Sequence, residues 1–127
     1  MIGLNDLSLS LELDNPFEVV TSDLMSAVAE WVLGAGVRFG FGGLARIDDG
    51  SLPVPPDLVA AQYPRLGAAS AWLSRSFLRG IATPEVPGAV RDLRARIAYW
   101  RGQPIPVWEQ RRWELAKAVR GLAVPHE

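Results

Sequence analysis

Asn5 and Asp6 are the residues of this chain whose types and position most favour chemistry. They follow an apolar run at residues 1–4, which is typical of a short buried strand, and residues of low strand propensity end such a strand where side chains face solvent. A carboxylate at that edge is a candidate ligand for a divalent cation, because Mg²⁺ is usually held by one or two carboxylates and by waters. Alternatively, Asp6 or Ser8 only caps a turn or a helix.

A glycine pair and an arginine form a second candidate site. Residues 38–41 are predicted as a strand with apolar neighbours on both sides, as expected of a parallel strand that is covered on both faces. Gly42 and Gly43 then form a predicted turn, in which adjacent glycines let the backbone present N–H donors to an anion. Arg46 could add a bidentate contact to a carboxylate or phosphate. An ordinary turn with a surface arginine is the alternative.

Ser74 and Arg75 form a third candidate pair, at the end of a strand predicted over residues 69–73. They could contact a ligand's carboxylate or phosphate opposite Arg46, or they could only cap the following turn. A serine hydrolase is disfavoured, because the single histidine is His126 and no glycine-flanked nucleophile motif surrounds Ser74.

Composition excludes several classes of function. The chain has no cysteine, which excludes disulfides, thiolate metal sites and a cysteine nucleophile. A net charge of -1 with 49% hydrophobic residues gives no electrostatic footprint for nucleic acid. No stretch reaches the ~18 consecutive apolar residues of a membrane helix, and no basic and apolar leader is recognised. We therefore expect a cytoplasmic protein that binds neither nucleic acid nor membrane.

The elements that must position these residues alternate between strands and helices. Helices are predicted between the strands, one at residues 22–36 and one at residues 57–67, each with an N-terminal cap and a closing glycine. This order is typical of a parallel α/β sheet. The sequence therefore predicts an α/β fold with three parallel strands in residues 1–81 and two further helices in residues 82–127.

The predicted C-terminal helices are rich in aromatic residues and arginine. Three of the five tryptophans, Trp100, Trp108 and Trp113, lie in this part of the chain. Such a composition is typical of a contact surface between subunits. The alternative, of equal weight, is that both helices pack back on the residues that precede them.

The motif Ile-Gly-x-Asn-Asp-Leu-Ser at residues 2–8 resembles the end of a late barrel strand in the phosphoenolpyruvate/pyruvate superfamily. It is most similar to the metal-dependent 2-oxo-acid aldolase and citrate lyase β-chain family. Residues 37–46 and 71–77 resemble, more weakly, the two strands that follow. The resemblance implies the C-terminal half of a (β/α)₈ TIM barrel, in which Asp6 is a ligand of Mg²⁺ or Mn²⁺.

The resemblance also implies an activity, the reversible carbon–carbon cleavage of a small 2-oxo acid whose enolate is stabilised by the metal as a Lewis acid. The implied substrate contacts are Asn5, Gly42, Gly43, Arg46, Ser74 and Arg75.

A complete barrel of this type needs about 250 residues, whereas the chain has 127. In the family, a second carboxylate ligand and the basic residues that hold substrate come from earlier strands. We therefore expect a homo-oligomer or a partner that supplies the missing barrel half, and no residue here is assigned as the general base. The alternative is a catalytically inactive half-barrel that acts as an oligomerisation or scaffold module.

Overall fold

The computed structural model describes residues 16–122, which form helices around a small parallel sheet. The elements are α1 (Pro16–Val20), α2 (Asp23–Gly34), β1 (Gly40–Leu44), α3 (Pro56–Leu66), β2 (Ser70–Leu73), α4 (Val86–Arg101) and α5 (Ile105–Leu122). Two 3₁₀ helices, Arg75–Leu78 and Thr83–Glu85, connect β2 to α4. The α/β class is thereby confirmed, with helix as the main component. No helix within this range is long and apolar enough to cross a membrane.

The sheet of the described residues consists of β1 and β2, which lie side by side and parallel. Gly40 is paired with Ser70, and the register continues to Gly42 and Trp72. Helix α3 connects the two strands, as a parallel pair requires. Two of the three predicted strands are therefore present, and the predicted strand at residues 1–4 lies outside the described range. This β1–α3–β2 unit is shared by barrels and open parallel sheets, so a half-barrel stays a prediction.

The prediction that Gly42 and Gly43 form a turn after β1 is wrong, because both glycines lie within the strand. Gly42 pairs with Trp72, and the register shifts between Gly42 and Leu44, which makes Gly43 the extra residue of a β-bulge. Gly43 has φ +102°, a conformation that side chains with a Cβ rarely adopt. A Cβ there would also lie 2.9 Å from the ring of Phe17. The glycine is thus explained by the bulge and by the close approach of α1.

Helix α3 lies at the centre of the core. It begins at Pro56, one residue before the predicted start at Asp57, and Gly67, in the left-handed conformation, closes it as predicted. The sequence also predicts that Pro64 limits the helix, yet α3 continues to Leu66, because a proline in the last turn removes only one N–H donor. Buried side chains on α3 contact β1, α4 and α5, so this helix joins the sheet to the C-terminal helices.

The first long helix, α2, begins at the N-cap predicted from sequence. The Ser22 hydroxyl accepts a hydrogen bond from the Met25 N–H at 3.1 Å. The sequence predicts an apolar face of Leu24, Val28, Trp31 and Val32, and this is correct only in part. Val32 packs against the core, but Met25 and Ala29 are the buried residues, and Trp31 is 70% exposed. The buried positions are shifted by one residue along the helix.

The C-terminal helices pack on α3, which was the second of the two alternatives for this region. Leu93 and Trp100 of α4, with Leu115 and Val119 of α5, belong to the same hydrophobic cluster as Phe41 of β1. Trp108 donates its indole N–H to the Trp100 carbonyl oxygen at 2.6 Å, which fixes the angle between the two helices. Trp113, in contrast, is 52% exposed.

A polar network joins α3 to α4. The Asp57 carboxylate accepts hydrogen bonds from Arg96 Nε at 2.7 Å, from Arg96 Nη2 at 2.9 Å and from the Trp100 indole at 2.9 Å. Partial burial raises the pKa of Asp57, but these donors outweigh it and hold that pKa below its usual range. The network therefore stabilises the fold most where Asp57 is ionised.

Replacing Gly40 with alanine tests how closely the two strands approach. A Cβ at Gly40 would overlap the carbonyl and hydroxyl oxygens of Ser70, and the carbonyl belongs to the sheet backbone. We expect Gly40→Ala to lower the free energy of unfolding by about 1 to 3 kcal/mol in urea titrations. The control is Gly50→Ala, where no atom lies within 4 Å of the added Cβ. Equal stability of the two variants would mean that the strands are further apart.

Replacing Asp57 with asparagine tests the network that joins α3 to α4. Because the folded-state pKa of Asp57 is lowered, its contribution is present above the unfolded-state value near ~4 and is lost as pH falls through the folded-state value. Asp57→Asn should be less stable than wild type by roughly 1 kcal/mol at pH 7, since the ion pair is partly exposed, and the difference should narrow in acid. The control is Asp48→Asn, because Asp48 is exposed and its side chain forms no hydrogen bond or ion pair within residues 16–122. If the difference in unfolding free energy between wild type and Asp57→Asn does not change with pH, the ionised Asp57 carboxylate does not stabilise the fold through this network.

Candidate functional site

A cleft with a volume of about 890 Å³ is lined by residues that follow the carboxyl ends of β1 and β2. The loop after β1 forms one side, and the other comes from the segment between β2 and the first turns of α4. Its polar and charged lining residues are Arg46, Asp48, Asp49, Ser51, Glu85 and Asp92. We call it the carboxyl-end cleft. Parallel α/β sheets bind their ligands at this edge.

Arg46 follows the end of β1 and provides the cation of the cleft. Its Nη1 donates a hydrogen bond to the Phe77 carbonyl oxygen at 3.1 Å, and the Phe77 side chain is fully buried. The guanidinium has five N–H donors in a rigid plane, so this bond fixes its position and leaves other donors available. Arg46 can therefore bind a carboxylate or phosphate without first becoming ordered.

Asp49 lies on the same wall of the cleft and is held by a tight local turn. Its Oδ1 accepts hydrogen bonds from the Ser51 hydroxyl at 2.5 Å and from the Ser51 N–H at 3.0 Å. These two bonds hold the pKa of Asp49 below its usual range, and the charges of Arg46 and Arg79 act in the same direction. The cleft thus carries a fixed carboxylate as well as a fixed cation.

The other predicted substrate contacts lie in separate parts of the structure. Gly43 and Ser74 line a second, mainly apolar cavity of about 210 Å³ on the side of α1, which Arg46 does not line. Gly42 lies in the sheet beside Trp72. Arg75 is exposed at the start of the first 3₁₀ helix.

Ser74 fixes the end of β2. Its N–H donates to the Leu44 carbonyl oxygen at 2.8 Å, which extends the pairing of β2 with β1 by one bond. Its hydroxyl is 2.6 Å from the Ser76 hydroxyl, and its carbonyl accepts the Phe77 N–H at 3.0 Å. Ser74 therefore positions the turn whose Phe77 carbonyl holds Arg46.

Comparison with known proteins gives no relative. No protein-family model, no curated protein and no solved structure matches the chain. The function must be inferred from the residues themselves.

The predicted metal site involves Asn5 and Asp6, which lie outside the described residues. Between residues 16 and 122, no three histidine, cysteine, aspartate or glutamate side chains lie close enough together to hold a metal ion. Asp6 as a ligand of Mg²⁺ or Mn²⁺ stays a prediction.

Several residues of the cleft were not predicted from sequence as site residues. Asp48 and Asp49 form an acidic pair two residues after Arg46, which is a local signal that a more complete interpretation could have used. Glu85 and Asp92 give no such signal, because they are far away in sequence and meet the cleft only through the packing of α4. Four carboxylates therefore line the cleft with Arg46.

Replacing Ser51 with alanine tests the turn around Asp49. The hydroxyl of Ser51 is the strongest of the influences that lower the pKa of Asp49. We expect Ser51→Ala to shift the pKa of Asp49 upward, as measured by NMR titration of the side-chain carboxyl carbon. Asp48 serves as the internal control, since it accepts no hydrogen bond from Ser51 in the structure. An unchanged titration of Asp49 would show that this hydrogen bond does not form in solution.

Proposed function

We propose that the carboxyl-end cleft binds the carboxylate of a small 2-oxo acid, and that the chain contributes this part of a carbon–carbon lyase site. The observation that carries the proposal is the position of Arg46, whose guanidinium is held by the Phe77 carbonyl at the carboxyl ends of two parallel strands. Two parallel N–H groups of an anchored arginine can bind the two oxygens of a carboxylate, and this attraction must outweigh the repulsion from the four carboxylates of the cleft.

The size of the cleft agrees with a shared site. Its volume of about 890 Å³ lies at the upper end of the range for small-molecule sites, roughly 300 to 1,000 Å³, and exceeds what a small oxo acid fills. The remaining space can accept groups from another polypeptide. This agrees with the resemblance of residues 2–8, in which further ligands and the basic residues come from earlier strands of a barrel.

The chemistry proposed for the completed site is an aldol cleavage. A base removes the hydroxyl proton of a 4-hydroxy-2-oxo acid, the C3–C4 bond breaks to release an aldehyde, and the electron pair forms an enolate that then takes up a proton. Arg46 would hold the carboxylate during these steps. Asp49 is disfavoured as the base, because a lowered pKa makes a carboxylate a weaker proton acceptor. By the resemblance of residues 2–8, Asp6 would hold a divalent metal ion that stabilises the enolate as a Lewis acid.

A second candidate function is the oligomerisation or scaffold module, and the exposure of apolar side chains on β2 favours it. Along β2, Trp72 is 65% exposed and Leu73 is 42% exposed, which is unusual for a strand in a parallel sheet. Within residues 16–122, β2 pairs only with β1, and an unpaired apolar strand edge can pair with another polypeptide. Ligand binding and pairing involve different parts of the chain, so both functions can coexist.

Binding of oxalate, a stable mimic of a 2-oxo acid enolate, tests the proposed ligand class. We expect oxalate to perturb the NMR signals of the loop after β1, and Arg46→Gln to weaken binding by roughly 1.5 to 3 kcal/mol, because a bidentate contact to a charged group is lost. Arg38→Gln is the control, since Arg38 is exposed and lies before the amino end of β1. Melting curves of both variants show whether the Arg46 contact to Phe77 also affects folding.

Two results would contradict the proposal. If Arg46→Gln binds oxalate as well as the Arg38→Gln control does, the cleft is not the carboxylate site. If the isolated chain cleaves 4-hydroxy-2-oxo acids at ordinary enzyme rates, the site is complete. The proposal that another polypeptide supplies part of it would then be wrong.

A further inference from the structure

A further cavity lies between the sheet and α4. It has a volume of about 440 Å³, and its walls come from the last residue of β1, from Tyr63 of α3, from β2 and from α4. Ala71 of β2 lines it and is paired with Phe41 of β1, so both side chains point to the same face of the sheet. Because Phe41 stacks on Tyr63, this is the face that the helices cover. We call this space the α4 cavity. It shares no lining residue with the carboxyl-end cleft.

The inner part of the α4 cavity is apolar. Leu44, Tyr63 and Leu93 are almost fully buried and form its floor, and Ile97 of α4 is half-buried beside them. Among these side chains only Tyr63 has a hydrogen-bonding group, and its hydroxyl already donates to the Phe41 carbonyl oxygen. The floor therefore offers no free polar side chain and favours the apolar part of a ligand.

The mouth of the α4 cavity is cationic. Arg94 and Arg101 are exposed residues of α4 that line it, and they lie seven positions apart, which places them two turns apart on one face of the helix. Within residues 16–122 neither guanidinium forms an ion pair, whereas Arg96 of the same helix is paired with Asp57. No acidic residue of this range lines the cavity. The positive charge at the mouth is therefore uncompensated by the described residues.

We propose that the α4 cavity binds a small amphipathic anion. Its apolar body would lie over Leu44 and Leu93. Its head group, a carboxylate or a phosphate, would contact Arg94 and Arg101. An uncharged apolar molecule would leave the two like charges uncompensated, and a small polar anion would leave the floor uncovered, whereas a ligand with both parts matches the whole lining. The volume of about 440 Å³ lies within the range for small-molecule sites, roughly 300 to 1,000 Å³.

The proposal is tested by calorimetric titration of the full chain with octanoate, octyl phosphate, octanol and acetate. We expect both octyl anions to bind more tightly than octanol, which lacks the charge, and more tightly than acetate, which lacks the apolar body. The tighter of the two octyl anions identifies the head group. Added salt should weaken binding of both anions and leave that of octanol almost unchanged.

The double variant Arg94→Gln and Arg101→Gln tests the cationic mouth. It should weaken binding of octanoate and octyl phosphate by about tenfold and leave octanol unaffected, because only the charged contacts are lost. Arg91→Gln, an exposed change on α4 outside the cavity, is the matched control and should leave all affinities unchanged. Arg46→Gln should also leave them unchanged, because Arg46 lines the carboxyl-end cleft. This test and the oxalate test can therefore fail independently.

A second variant, Ala71→Leu, tests the apolar part of the cavity. Its larger side chain would extend from β2 into the space that the ligand needs. We expect octanoate, octyl phosphate and octanol all to bind more weakly to this variant. Its melting temperature should stay close to that of wild type, because the added atoms enter an existing cavity.

Several results would overturn the proposal. If octanol binds as tightly as the two anions, the charges at the mouth have no role, and if acetate binds as tightly as octanoate, the floor has none. Unchanged anion binding in the arginine double variant would exclude Arg94 and Arg101 as contacts. Anion binding that Arg46→Gln abolishes and Ala71→Leu leaves intact would place the ligand in the carboxyl-end cleft instead.

Discussion

The contact between Tyr63 and Phe41 joins the helical layer to the sheet, and the positions of the other elements depend on it. The two rings stack at a centroid distance of 4.0 Å, and the buried Tyr63 hydroxyl donates to the Phe41 carbonyl oxygen at 2.7 Å. Burial raises the pKa of Tyr63, so the hydroxyl stays protonated and remains a donor. Since α3 also carries the contacts to α4 and α5, one residue fixes β1 against three helices.

Structural features that a few neighbouring residues determine could be predicted from this sequence. Features that depend on tertiary packing could not. The Ser22 cap and the closing Gly67 follow from local backbone chemistry. The buried face of α2 does not, because a shift of one residue exchanges Leu24 for Met25 and only the core decides between them. Likewise, a bulge at Gly43 depends on the partner strand, which a linear pattern of glycines does not contain.

The same distinction holds for the candidate site. Arg46 could be predicted because it lies directly after a strand, where α/β folds place their ligands. The group that holds it, the Phe77 carbonyl, is more than thirty positions away and depends on the turn after β2. Asp92 reaches the cleft only through the packing of α4. The position of Arg46 at the end of β1 could therefore be predicted from sequence, whereas the fold determines which charges surround it.

The hydrogen bond from Arg46 to Phe77 has a thermodynamic consequence. Arg46 belongs to the carboxyl-end cleft, while Phe77 lies in the turn that Ser74 begins directly after β2. The turn after β2 therefore connects the guanidinium of Arg46 to the paired ends of both strands. A change in this turn would move the proposed carboxylate contact together with the end of the sheet. The stability of the strand pairing and the affinity for an anion at Arg46 would then be coupled, each altering the other by the same factor.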